Sequence, residues 1–208
     1  MEGIKWLFFD IGSTLADESR ALERRVRETV AGTGVSFSKF WAEMVSHAAL
    51  GSGCYPAALE HFGLKKTPWP GEEERLYPGV PELLEELARS YRLGIIANQV
   101  PGLEGRMEQW GIRPCFSLIL SSAEEGVAKP DPAIFRRALE RAGCAPREAM
   151  MIGDRLDNDV APAGALGFTT VWVRQGINRD ARVEDAGRQP DHILNAVTEL
   201  RELLNRGR

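Results

Sequence analysis

The sequence predicts an α/β fold: a doubly wound parallel sheet with a small α-helical cap inserted after the first strand. Three observations lead there. Five short apolar runs lack polar alternation, as strands buried on both faces of a sheet do. Amphipathic stripes at helical spacing lie between the later runs. The stretch between Phe9 and Pro78 breaks this rhythm, with helical patterns and no convincing strand.

The first run, Ile4 to Phe9, is a strand that ends in Asp10. Arg20 to Val30 follows as an amphipathic helix with Leu22, Val26 and Val30 on one face. Ser36 can cap a second helix whose stripe is Phe37, Phe40, Trp41, Met44, Val45 and Ala48. A shorter helix spans Pro56 to Phe62, and the turn-rich segments TPWPG and YPGVP close the insertion. The expected division is therefore a core of residues 1–15 and 78–208 and a cap of residues 16–77, with hinges near 13–17 and 68–79. Phe37, Phe40, Trp41 and Met44 are expected mainly to form the cap's own core.

Pro81 suits the first position of the next helix, since its ring fixes φ and it has no amide to leave unpaired. Leu93–Ala97 and Phe116–Leu120 are the second and third strands. Asp131 and Pro132 form a cap-then-proline helix start. Ile134, Phe135, Ala138, Leu139 and Ala142 give that helix its stripe, and Gly143 its stop. Ala149–Ile152 and Phe168–Val173 are the fourth and fifth strands, and a last helix is expected from about Ile193 to Leu204. Right-handed crossovers allow the strand order 3-2-1-4-5.

Composition limits the function classes. The formal net charge of −4 argues against a nucleic-acid partner bound through a broad basic surface. No apolar stretch approaches the ~20 residues that span a bilayer, so no membrane partner is expected. Cys54, Cys115 and Cys144 are sparse and odd in number, which fits reduced thiols and a cytoplasmic protein.

The chemistry concentrates at two strand ends. Asp10 follows the first strand, and Asp154, Asp157 and Asp159 follow the fourth. Ligands of open α/β sheets bind at that carboxyl edge, at the switch point in strand order. Carboxylates brought together there repel unless a cation lies between them, and Mg2+ suits such oxygen donors. Between the two clusters comes Lys129, just before a proline-marked helix start, where an ammonium could neutralise a phosphate.

The order is strand-D-x-x-x-T-L, a small residue with Asn98 after the second strand, K-P at Lys129, then G-D-x-x-x-x-D ending in Asp159. It resembles the four motifs of the haloacid dehalogenase superfamily in its capped, phosphatase-like branch, over nearly the whole chain. The resemblance implies a magnesium-dependent hydrolase of small phosphorylated metabolites that works through an aspartyl-phosphate. Asp10 falls on the nucleophile and on a metal ligand. The backbone carbonyl of Gly12, Asp154 and Asp159 fall on the remaining metal positions, Asp159 often through water. Lys129 falls on the lysine that bridges nucleophile and phosphate.

Two positions depart from the pattern. Phosphatases of the family carry a second aspartate two residues after the nucleophile, as proton donor and acceptor, and this chain has Gly12. The phosphate-binding Ser or Thr is replaced by Ala97, with Asn98 beside it to donate from its amide or backbone N–H. Asp17, Glu18 and His47 are candidate substitute acids. A substrate whose leaving group needs no proton, such as an acyl or aryl phosphate, is a second reading. A binding protein on the same fold, impaired in turnover, is the third. Placing an acid at the missing position, by Gly12→Asp, is expected to raise turnover of alkyl phosphates. Haloacid dehalogenases do not need the magnesium site that Asp154 and Asp159 suggest. Phosphonatases need a reactive cap lysine, and nothing in the sequence marks Lys39, Lys65 or Lys66 as one.

Overall fold

A computed structural model describes residues 3–50, 53–183 and 189–205. Eight strands and nine helices are described, in this order: β1 (Trp6–Phe9), β2 (Ala16–Asp17), α1 (Ser19–Val30), α2 (Phe37–Ala49), α3 (Cys54–Phe62), β3 (Arg75–Leu76), α4 (Val80–Leu87), β4 (Arg92–Ala97), α5 (Leu103–Gln109), β5 (Phe116–Ser121), α6 (Ser122–Glu125), α7 (Pro132–Ala142), β6 (Ala149–Gly153), α8 (Ala161–Ala165), β7 (Thr169–Val173), β8 (His192–Leu194) and α9 (Leu200–Asn205).

Six strands form one parallel sheet in the order β5-β4-β1-β6-β7-β8. β1 lies at its centre, with Phe9 opposite Ile95 on one side and Ile152 on the other. Side chains of a strand alternate between faces. Leu7 and Phe9 accordingly enter the core packed under α4, α5 and α9, while Trp6 and Phe8 enter the core under α7. All four are buried, which is why this strand reads as a continuous apolar run. The expected order of the first five strands is the observed one.

The helix signals act as their chemistry requires. The Asp131 carboxylate accepts from the Ala133 amide at 2.8 Å and caps α7, and Gly143 closes that helix in the left-handed region. Ser36 Oγ accepts from Lys39 N at 3.3 Å and caps α2. Helices α1 to α3 gather around a separate core of Val26, Phe40, Met44, Tyr55 and Ala58. Phe37 stacks on Trp41 and packs against this core from its edge.

Two features differ from expectation. The segment from Ile193 does not begin a helix: His192–Leu194 adds a sixth strand to β7. The Asp191 carboxylate draws it there by accepting from Thr170 N at 2.8 Å and Thr170 Oγ1 at 2.9 Å. The helix begins later, with Leu200 and Leu204 as its buried residues and Val197 buried in the turn before it. The stretch between Phe9 and Pro78, read from sequence as lacking a convincing strand, holds two short ones. β2 and β3 pair antiparallel, Ala16 with Leu76 and Asp17 with Arg75, so the chain leaves and re-enters the core side by side. No described helix is long and apolar enough to cross a membrane.

Candidate active site

Asp10 is carried by the first turn beyond β1. Its amide donates to Ile152 O at 2.9 Å, which ties this turn to β6 and sets Asp10 beside the end of that strand. The turn then curls back, with Leu15 and Ala16 both donating to Ile11 O and Ser13 taking a positive φ of 55°. A cleft of about 870 Å³ opens there between the sheet edge and the helices α1 and α3. That size suits a small organic ligand. Asp10, Gly12, Asn98, Lys129, Asp154 and Asp159 all line it.

Lys129 is the centre of the polar network. Its ammonium donates to Asp10 Oδ1 at 2.7 Å and to Asp159 Oδ1 at 2.5 Å, with only 2% of the side chain exposed. Burial by itself pulls its pKa down, but the charges of Asp10 and Asp159 and the hydrogen bonds to them carry it above the usual lysine value. It is therefore a fixed cation. One Asp10 oxygen is engaged by it, and the structure describes no hydrogen bond to the other.

Asp159 reaches this position from a five-residue π-helical turn, Leu156–Val160. Its second oxygen accepts from Arg155 N at 3.0 Å. The carboxyl folds back against Gly153, where a Cβ would stand 2.5 Å from the Asp159 Cβ and closer still to its carboxyl atoms. The G-D spacing thus has a steric reason: only glycine leaves room for Asp159. Burial pushes the Asp159 carboxyl up to about 6; Lys129 opposes the shift and Asp10 adds to it. Asp154 is raised well above the usual range by burial and then by the charges of Asp10 and Asp159. Asn178 Nδ2 donates to Asp154 Oδ2 at 2.9 Å, and Trp172 Nε1 donates to the Asp154 carbonyl at 2.8 Å.

Asp10, Asp154 and Asp159 offer oxygens within 4.8 Å of one another. Three buried carboxylates with one ammonium leave excess negative charge. An oxygen-seeking divalent cation fits this donor set, and Mg2+ is one such ion that also takes phosphate oxygens.

Asn98 lines the cleft, and its side chain faces Lys129. Its Oδ1 accepts from Lys129 N at 2.8 Å and its Nδ2 donates to Lys129 O at 2.7 Å. Its side chain holds the lysine's backbone. Of the candidate substitute acids, Asp17 accepts from Ser19 N at 2.9 Å beside α1, and His47 pairs with Glu43 within α2. Glu18 alone of the three lines the cleft. Burial raises its pKa well above the usual range; the charges of Glu74, Asp10 and Asp154 add to this, and a hydrogen bond with Ser13 opposes it. Of the three lysines considered in the cap, Lys66 lines the cleft.

Sequence reasoning did not find Asn178, Arg25, Tyr55 or Trp69, which also line the cleft. Arg25 lies over the Tyr55 ring at 4.0 Å and donates twice to Thr67 O. A signal existed for it, since Arg25 falls three residues after Leu22 and beside Val26 on the apolar face of α1. Asn178 has no fixed spacing to any acid, and only the fold brings it to Asp154.

The comparisons with known proteins point the same way. A HAD-hydrolase-like family model matches residues 126–200, the part that carries Lys129, Asp154 and Asp159. The chain is 40% identical over 133 residues to a phosphoserine phosphatase of Thermus thermophilus, a match covering 62% of the chain and 52% of that protein. The chain thus spans about half the length of that relative. It is 28% identical over 222 residues to the Escherichia coli pyrimidine 5'-nucleotidase YjjG, covering 96% of the chain and 97% of the relative. In fold it is similar to a HAD phosphatase from Thermococcus onnurineus, with TM-score 0.69 and 24% identity over 97% of this chain and 98% of the other.

Proposed function

We propose that this chain is a phosphatase-type hydrolase of the haloacid dehalogenase superfamily and that it hydrolyses small phosphorylated metabolites in the cytoplasm with Mg2+, through a phosphoryl group carried on Asp10. One observation supports this most: a buried lysine bridges Asp10 and Asp159 while Asp154 stands within reach of both. A binding protein without turnover has no need of that arrangement. The three cysteines are free thiols, in keeping with a reducing compartment.

In this reading the Asp10 oxygen not held by Lys129 forms a bond to phosphorus, and the bond from phosphorus to the ester oxygen breaks. Lys129 holds the nucleophile in line and offsets charge on the phosphoryl oxygens. Water then attacks the phosphorus, the bond to Asp10 breaks, and phosphate leaves. Asp10, Asp154, Asp159 and the Gly12 carbonyl would hold Mg2+, which supplies positive charge against the carboxylates and the phosphoryl oxygens. Asn98 serves substrate binding by fixing Lys129. Residues 16–77 act as a cap, from which Arg25, Tyr55 and Lys66 offer one cation–aromatic wall to the rest of the substrate.

The test is hydrolysis of aryl, acyl and alkyl phosphates with and without Mg2+, beside an Asp10→Asn control. Magnesium-dependent turnover that the control abolishes, with radiolabelled phosphate trapped on the native chain alone, is the expected result. Turnover that survives Asp10→Asn would defeat the proposal.

A further inference from the structure

We infer that Glu18 is the general acid and base of this site, standing in the space that a side chain at position 12 would fill. The inference rests on the phosphatase reading above and goes beyond it, because it assigns the proton transfers to a residue outside the four sequence motifs.

Four carboxyl groups line the cleft: Asp10, Glu18, Asp154 and Asp159. Lys129 occupies Asp10 and Asp159, and Asn178 holds Asp154. Glu18 takes part in no ion pair among the described residues. It stands at the N-cap position of α1, yet its side chain makes no capping hydrogen bond; Asp17 receives the Ser19 amide instead. The carboxyl turns the other way, over Gly12. A Cβ built on Gly12 would lie 2.6 Å from Glu18 Cδ and 2.7 Å from Oε2. The chain therefore places a carboxyl two residues beyond the nucleophile in space, although in sequence it comes eight residues later.

Its backbone is fixed from both sides. Asp17 pairs with Arg75 in the β2–β3 ladder, and the Glu18 carbonyl accepts from Leu22 N at 2.8 Å in the first turn of α1. The proton balance closes on this one group. As Asp10 bonds to phosphorus and the ester bond breaks, the protonated Glu18 gives its proton to the leaving oxygen and becomes a carboxylate. As water bonds to phosphorus and the bond to Asp10 breaks, Glu18 takes a proton from that water and returns to its first state.

The same contact reverses the expectation for Gly12→Asp. An aspartate there displaces the Glu18 carboxyl, so the single substitution lowers activity, and the further change Glu18→Ala removes the contact.

The test uses the full chain with Mg2+, an alkyl phosphate and p-nitrophenyl phosphate, and the variants Glu18→Gln, Gly12→Asp and Gly12→Asp with Glu18→Ala. Glu18→Gln is expected to slow alkyl phosphate turnover by about 10² to 10⁴-fold. With p-nitrophenyl phosphate it should release about one equivalent of phenolate in a fast burst and then stall, with labelled phosphate retained on Asp10. The double variant should recover alkyl turnover that both Gly12→Asp and Glu18→Gln lack. Equal slowing of both substrates without a burst, or no slowing at all, overturns the assignment of Glu18 while the phosphatase reading stands. A native chain with no turnover and no trapped phosphate overturns both.

Discussion

Asn98 grips Lys129 by both backbone polar atoms, accepting from its N–H at 2.8 Å and donating to its carbonyl at 2.7 Å. This reciprocal pair bridges the end of β4 and the loop before α7, and it sets where the buried ammonium emerges. Asn98→Ala should therefore slow turnover without removing any group that touches phosphorus. Two backbone groups lose their partners, at a stability cost of about 1–3 kcal/mol. The checks are the fall in kcat beside the urea unfolding midpoint. Asn98→Asp keeps the acceptor but not the donor, and should lie between the two.

Lys129→Met removes the charge that separates Asp10 from Asp159. It should abolish measurable turnover, because both the phosphoryl group and the acidic cluster lose their fixed cation. Aspartyl-phosphate trapping is expected to fail with it. Trapping at the native level would show that the lysine acts only after the first step.

Gly153→Ala introduces a methyl group against the Asp159 side chain. Overpacking of a tight interior typically costs about 1–3 kcal/mol, and here the displaced group is a proposed metal ligand. Both the denaturation midpoint and the Mg2+ requirement should worsen together. An alanine variant of native stability and native Mg2+ dependence would contradict the packing described.

Asn178→Leu leaves Asp154 without its amide donor while keeping the volume filled. Loss of an orienting partner of this kind commonly weakens metal affinity about 10–100-fold. A Mg2+ titration of activity should show that shift with little change at saturation.

The charge state of the cluster gives a pH signature. Asp159 is pushed up to about 6 and Asp154 well above its usual range, chiefly by burial. In the unfolded chain both titrate near about 3.9. The metal-free folded state therefore binds more protons between about pH 4 and pH 6, and these groups' contribution to stability falls as pH rises through that window. A divalent cation replaces those protons. Saturating Mg2+ should raise the melting temperature more at about pH 7.5 than at about pH 5. Equal shifts at both would argue against metal binding at these carboxylates.

The sheet was largely legible because burial on both faces leaves a strong trace: Trp6–Phe9, Ile95–Ala97 and Met150–Ile152 carry almost no polar residue. β8 left a weak one. Ile193 is half exposed, only Leu194 is buried, and the pairing depends on Asp191 gripping Thr170 from 21 residues away. β2 and β3 are two residues each and owe their form to one another. In the site, Asp10, Lys129, Asp154 and Asp159 were recognisable from order and spacing. Glu18 could be named beside Asp17 and His47 as a candidate acid, but nothing in the string separates it from Asp17, since neighbouring residues differ only in the direction the backbone gives them. Ala97 and Gly12 read as losses in sequence. In three dimensions Asn98 is fully employed beside the one, and the space beside the other is filled.

The contact between Gly12 and Glu18 also bears on descent. A side chain at position 12 and the carboxyl of Glu18 compete for one space, so either acid gained in the presence of the other passes through a crowded intermediate. Among relatives that share this β2 path, the two positions should change as a linked pair: an acid at 12 with a smaller residue at 18, or glycine at 12 with glutamate at 18. A lineage crossing between these states without crowding goes by way of glycine at 12 with a small residue at 18, a form that carries neither acid.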